Sequence, residues 1–186
     1  MTEARAGGCE VSAKSGSLSE SAARATNEQP PPGAAVASAT VEPVPVVEEL
    51  LECSNDSLSA IERLVTQLSR SAAPPTRARL AEIISSPACQ LLVSRDAGGN
   101  VVGMLTLVLF PIPTGIRAWI EDVVVDHSAR GQGVGARLVR EAVARARLAG
   151  ARTVDLTSRP DREAANALYV REGFKLRESN VYRVTL

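Results

Sequence analysis

Arg130-Gly131-Gln132-Gly133-Val134-Gly135 stands between the β-branched run ending at Asp126 and an apolar-periodic segment that opens with Val134 and Leu138. A strand that enters a glycine-dense turn and leaves it as a helix is built to hold phosphate. The main-chain N–H groups of the turn point at the anion, and the positive end of the helix faces it. Glycine at 133 and 135 lets the anion come close, since a Cβ would hold it away from those N–H groups. Three phosphate ligands compete for this reading. A nucleoside triphosphate loop needs GxxxxGK[ST], and no lysine follows these glycines. The dinucleotide fingerprint GxGxx[GA] is met by Gly131, Gly133 and Ala136, with Asp155 near the place of a ribose-binding acid. The third ligand is coenzyme A.

The elements around the turn decide between the last two. Val46 to Cys53 reads as a first strand, and Asn55 or Asp56 caps a helix whose one face carries Leu58, Ile61, Leu64, Val65 and Leu68. A second helix, Thr76 to Ser85, is stopped by Pro87. Cys89–Arg95, Val101–Phe110 and Arg117–Asp126 read as an antiparallel meander, the first two joined by the hairpin chemistry of residues 96–100, with Pro111, Pro113 and Gly115 in the next loop. Val101–Phe110 is apolar on both faces and belongs at the centre of the sheet. Val134–Ala149 is an amphipathic helix, with Arg137, Glu141 and Arg145 spaced as i, i+4 ion pairs on its outer face. Thr153–Thr157 is a strand, Asp161–Glu172 a helix, and Phe174–Arg177 with Val181–Leu186 a closing antiparallel pair. The order βααβββαβαββ implies an α+β, or mixed α/β, fold: one mostly antiparallel sheet with helices on both faces. A dinucleotide domain opens with its glycine turn and needs roughly 100 further residues of βα units. Here the turn follows three antiparallel strands, and 51 residues remain after Gly135.

Composition bounds the rest. Residues 1–45 are rich in Ala, Ser, Gly, Pro and Glu, with little apolar surface to offset chain entropy, so they read as a disordered tail before a folded domain at 46–186. Formal net charge is zero, which argues against nucleic acid as a partner. The three cysteines, Cys9, Cys53 and Cys89, are far apart, and the single histidine, His127, completes no metal set, so a reducing cytoplasm without a metal centre is expected. No apolar run approaches the ~18 residues of a membrane span, and the start lacks the charge and apolar pattern of a signal peptide.

Two motifs then coincide. RGQGVG is similar to the [QR]xxGx[GA] motif of the GNAT superfamily of acetyl-CoA-dependent N-acetyltransferases, and Ala164-Ala165-Asn166-Ala167-Leu168-Tyr169 through Gly173-Phe174 resembles the AaNxLYxxxGF segment of that family's fourth helix and following strand. Both stand in order, at the family's usual separation, within the folded part at 46–186. The resemblance implies a GNAT fold and transfer of an acetyl group from acetyl-CoA to a primary amine, on a small molecule or a protein, by direct transfer in a ternary complex without a metal. A GNAT-fold module that binds acyl-CoA without turnover is the alternative. The resemblance also implies a homodimer, through pairing of sheets or C-terminal strands.

It assigns roles as well. Tyr169 would protonate the departing thiolate, since a phenol of pKa about 10 is a fitting acid. Glu121, or else Asp122, would take the proton of the amine, directly or through water; strand alternation separates the two unless a bulge of the kind usual in this family's fourth strand shifts the phase. Val123, Val124 and Val125 would offer main-chain groups to the pantetheine arm, with an N–H near Val124 or Val125 meeting the thioester oxygen. Arg130, Gly131, Gln132, Gly133, Val134 and Gly135 would hold the pyrophosphate, and Asn166 the cofactor arm or the start of its own helix. Trp119 either lines the acceptor pocket or packs in the sheet, and His127 is an ordinary surface residue. The acceptor would meet 71–79, 111–117 and 178–180.

Overall fold

The computed structural model describes residues 46–69 and 71–186, so the expected tail at 1–45 lies outside the described residues. Five strands form one sheet in the order β1-β2-β3-β4-β5: Val47–Glu49, Cys89–Arg95, Val101–Ile112, Gly115–Val125 and Ala151–Leu156. The first four are antiparallel to their neighbours, and β5 runs parallel to β4. The parallel pair requires a crossover, which is α3, Val134–Leu148. Helices α1 (Asn55–Leu68) and α2 (Arg77–Ser85) precede β2, and α4 (Glu163–Arg171) follows β5.

Both faces of the sheet are covered, and the strands read accordingly. One core joins Leu105, Leu107, Ala118 and Ile120 to Val134, Leu138 and Val139 of α3 and to Tyr169 of α4. The other joins Leu91, Val93 and Met104 to Ala60, Ile61 and Leu64 of α1 and Leu80 of α2. Central β3 feeds both cores, which is why its sequence does not alternate. Leu64 and Leu80 are fully enclosed, and truncating either to alanine would cost about 2–5 kcal/mol.

Several boundaries depart from the sequence reading for local reasons. Ser54, not Asn55 or Asp56, caps α1, its Oγ accepting the Ser57 N–H at 3.0 Å. Pro111 belongs to β3 rather than to a loop: Pro111 pairs with Ile116 and Ile112 with Gly115, leaving Pro113 and Thr114 as a two-residue turn. The closing strands at 174–177 and 181–186 do not form. Residues 174–186 carry no regular structure, and Val181, Tyr182 and Val184 are 69–88% exposed. Alternation describes which face a strand would bury, but a strand needs a partner for its N–H and C=O groups, and this segment pairs with none among the described residues.

Asp126 ties the two faces together at the end of β4. Its carboxylate accepts from Arg63 Nε at 3.0 Å and Gln67 Nε2 at 3.2 Å, both on α1, and from the N–H and Oγ of Ser128 at 3.0 and 2.8 Å. The Ser128 N–H and hydroxyl, then Arg63, hold this carboxyl well below its ordinary pKa of 3.8. A folded pKa below the unfolded one stabilises the fold above pH 3.8 and ceases to do so as pH falls through the folded value. Asp126→Ala should therefore cost about 1–3 kcal/mol at pH 7, with the gap to wild type narrowing as urea denaturation is repeated at successively lower pH below 3.8.

Candidate active site

Strand β4 has different neighbours along its length. Its pairing with β5 ends at Ile120 with Leu156, yet β4 runs on to Val125 beside β3. In that stretch the register against β3 slips by one residue, since Met104 faces Val124 whereas Thr106 faces Glu121. Leu105 thus stands opposite both Asp122 and Val123, which is a β-bulge. Asp122 carries it with φ 52°, the one non-glycine residue with positive φ among those described. Asp and Asn tolerate this region best, at a cost of about 1 kcal/mol or more.

The bulge resolves the question of the two acids. Without it Glu121 and Asp122 would face opposite sides; with it both line one cavity of about 310 Å³, together with Tyr169, Arg162, Thr157 and the end of α1. Trp119, two residues before Glu121 and on the same side, donates its indole N–H to Glu121 Oε1 at 2.7 Å. Trp119 orients a carboxylate, a role outside both sequence alternatives. Tyr169 is 8% exposed, and its ring meets Phe174 edge to face at 6.0 Å. Burial pushes its phenol pKa above 10.0, and the positive charge of Arg162 pulls the other way.

The free edge of β4 can be read from one hydrogen bond. The Asp126 N–H donates to the Val102 carbonyl at 2.8 Å, so Asp126 and Val124 direct their main-chain groups toward β3. Val123 and Val125 direct theirs the other way, into the gap that β5 leaves. Val124, expected from the sequence to offer main-chain groups to the cofactor arm, instead turns them toward β3 and is a core residue at 5% exposure. Arg130 Nε reaches the Val125 carbonyl at 3.4 Å.

Beyond a 3₁₀ turn, His127–Ala129, the chain makes the glycine turn. Gly131 and Gly133 have φ of 78° and 75°, and Gly133 is the N-cap of α3 without any side-chain cap, so the first N–H groups of the helix have no protein cap. Gln132 is exposed and donates Nε2 to the Ser128 carbonyl at 3.2 Å; Val134 is buried in the core. Gly135 differs from the expectation. A Cβ there would sit 3.6 Å from Leu168 and Val125, an ordinary contact, and would not point at an anion. Asn166 donates Nδ2 to the Arg159 and Pro160 carbonyls at 3.0 and 3.4 Å, so of its two expected roles it fills the one at the helix start.

Sequence reasoning missed Arg137. Helical spacing pairs it with Glu141, but Glu141 bonds Arg145 at 2.8 Å. Arg137 instead runs back under the turn, its Nη1 3.2 Å from where a Cβ of Gly133 would be, while Nε and Nη2 are buried without a hydrogen-bond partner among the described residues. Asp155, the candidate ribose acid, stands away from the turn beside Arg177 and Arg117 at 3.6 and 3.8 Å. His127 is exposed. The 111–117 turn and 178–180 do not line the cavity; of the expected 71–79 segment Ala72 does, and Ser69 just before that segment does too. No cluster of metal-ligating side chains occurs among the described residues, and none of their helices is long and apolar enough to cross a membrane.

A sheet split between β4 and β5, with a glycine turn and helix N-terminus at the split, defines an acetyltransferase of the GNAT type. The chain belongs to that family: the model described as "Acetyltransferase (GNAT) family" matches residues 56–174. An acetyltransferase from Trypanosoma brucei is 28% identical with a TM-score of 0.62, over 76% of this chain and all (100%) of that one. A transcriptional regulator from Bacillus halodurans is likewise 28% identical, with a TM-score of 0.63, over 76% of this chain and 99% of its own. Glucosamine-6-phosphate N-acetyltransferase from Arabidopsis thaliana shares the fold at 19% identity and a TM-score of 0.64, over 75% and 97% of the two chains. No curated protein matches the sequence.

The two glycines differ in a measurable way. Gly133→Ala must hold a left-handed conformation and should lose about 1–2 kcal/mol of stability, whereas Gly135→Ala should be neutral or gain up to about 1 kcal/mol from helix propensity; paired thermal melts decide.

Proposed function

We propose that the protein is an N-acetyltransferase that passes the acetyl group of acetyl-CoA directly to a primary amine in the cleft beside Glu121, Asp122 and Tyr169. Arg137 carries the reading. Two guanidinium nitrogens buried without a partner, beneath a glycine turn that also presents uncapped helix N–H groups, are an expensive arrangement unless an anion completes it. The pyrophosphate of coenzyme A is such an anion. From that turn the Val125 and Val123 edge of β4 leads toward the carboxylates, and its main-chain groups, which have no strand partner, suit the amides of a pantetheine arm laid alongside as an added strand.

Each side chain in the cleft then has a task. An alkylamine of pKa about 10.4 is only about one part in a thousand neutral at pH 7.5, so the cleft must accept a proton before the nitrogen attacks. Glu121, oriented by Trp119, and Asp122 are the acceptors at hand, directly or through a water. A main-chain N–H of Val123 or Val125 is placed to hold the thioester oxygen as it gains charge. Tyr169 gives its phenolic proton to the leaving sulfur, and burial, by raising its pKa, keeps that proton in place at working pH.

Calorimetric titration of acetyl-CoA and of NAD into the full chain tests the assignment: acetyl-CoA should bind and NAD should not, and the reverse would overturn it. Arg137→Gln should raise the KM for acetyl-CoA about tenfold, as loss of one charge-assisted contact does, with kcat little changed. Tyr169→Phe should lower kcat by about a hundredfold or more while acetyl-CoA still binds; unchanged turnover would remove Tyr169 as the acid, and absence of turnover in the wild type would leave an acyl-CoA-binding module. Because the phenol is raised, any alkaline fall in kcat due to Tyr169 should lie above pH 10.0.

A further inference from the structure

The cavity beside Tyr169 has a second feature that acetyl transfer to a plain amine does not require. Arg162 lines it, facing the same space as Glu121 and Asp122, and lies close enough to Tyr169 to act on its phenol. Arg159, three residues before it, pairs with Asp161 at 3.8 Å, and Arg117 and Arg177 pair with Asp155. Arg162 is half-buried and pairs with no carboxylate among the described residues. Its position is also electrostatically poor. It is the N-cap of α4 and supplies no capping hydrogen bond, where Ser, Thr, Asp or Asn is favoured and a cation faces the positive end of the helix. An element that breaks its own local rule without internal compensation points to a ligand.

We propose that Arg162 binds a carboxylate carried by the acceptor, so that the substrate is an amino acid or a similar small zwitterion whose amine lies at Glu121 and Asp122. This rests on the acetyltransferase reading and deepens it. The charges in the cavity select among acceptors. A simple alkylamine or polyamine would leave Arg162 unpaired and add cations beside it. A phosphate dianion would bring two negative charges to one guanidinium, opposite two carboxylates. A single carboxylate matches the planar fork of arginine and leaves the ammonium group for the acids. Size agrees: about 310 Å³ lies at the lower end of ligand clefts, and the thioester end of the cofactor must share it.

The test is a panel of the common amino acids and β-alanine, each beside its own carboxamide and its decarboxylated simple amine, assayed on the full-length chain by release of free coenzyme A thiol from acetyl-CoA. For the best acceptor, kcat/KM of the carboxylate should exceed that of its carboxamide by about tenfold or more, and Arg162→Gln should bring the two within about threefold without changing the KM for acetyl-CoA. Calorimetry provides a readout independent of turnover: the N-acetylated form of that amino acid should bind the wild type and not Arg162→Gln. Carboxamides accepted as well as acids would overturn the proposal. So would a variant whose defect is in the KM for acetyl-CoA, which would put Arg162 on the cofactor. If acetyl-CoA binds but no amine of any kind is acetylated, transferase activity itself fails; if simple amines alone are acetylated, that activity stands and the carboxylate site is wrong.

Discussion

Everything at the site depends on β4 outrunning its parallel neighbour. β5 leaves the sheet after Leu156, opposite Ile120, and the next five residues of β4 keep only β3 as a partner. A strand with one bare edge inside a domain is an unsatisfied ladder, and its main-chain groups must find water or a ligand. The same stretch carries the bulge, so the break in pairing and the break in phase coincide. One leaves the main-chain groups of Val123 and Val125 without a strand partner; the other turns two adjacent carboxylates to one cavity. The φ of 52° at Asp122 is the local strain that this arrangement imposes, and it falls in the lining of the candidate site.

The arginines divide by what surrounds them. Arg63 and Arg145 are structural: the first ties α1 to Asp126 at the end of β4, the second bridges Glu49 at 2.6 Å and Glu141 at 2.8 Å. Arg137 and Arg162 have no such partners among the described residues, and both sit at a helix N-terminus, where a cation is disfavoured. One lies under the glycine turn of α3, the other at the first turn of α4. The buried guanidinium nitrogens of Arg137 are costly without an acceptor, and an anion would offset that cost.

Much of the fold is legible in local sequence. Three antiparallel strands, the glycine turn, α3 and the helix around Tyr169 each have a periodicity or a punctuating residue that names them, and their order excludes a dinucleotide domain. The terminal strands are the instructive miss. Val181 to Leu186 alternates as a strand should, but alternation is a property of the segment and pairing a property of two. Arg137 is the corresponding miss in the site. Its i, i+4 spacing to Glu141 is real, yet Glu141 has another suitor four residues on, and the glycine turn leaves space that a long side chain fills.

By itself, then, the sequence pointed to the type of site. A phosphate-holding turn at residues 130–135 follows from residue type and spacing within one element, where geometry is set by the backbone alone. The family resemblance adds a proton acceptor, Glu121 or Asp122, on the preceding strand and a tyrosine on the last helix. Only the tertiary structure decided that Glu121 and Asp122 share a cavity, that Val123 and Val125 rather than Val124 face the gap, that Gly135 packs against Leu168, and that Arg137 and Arg162 are left without partners. Each of these depends on what a second element, distant in sequence, places opposite the first, and no local pattern records that distance.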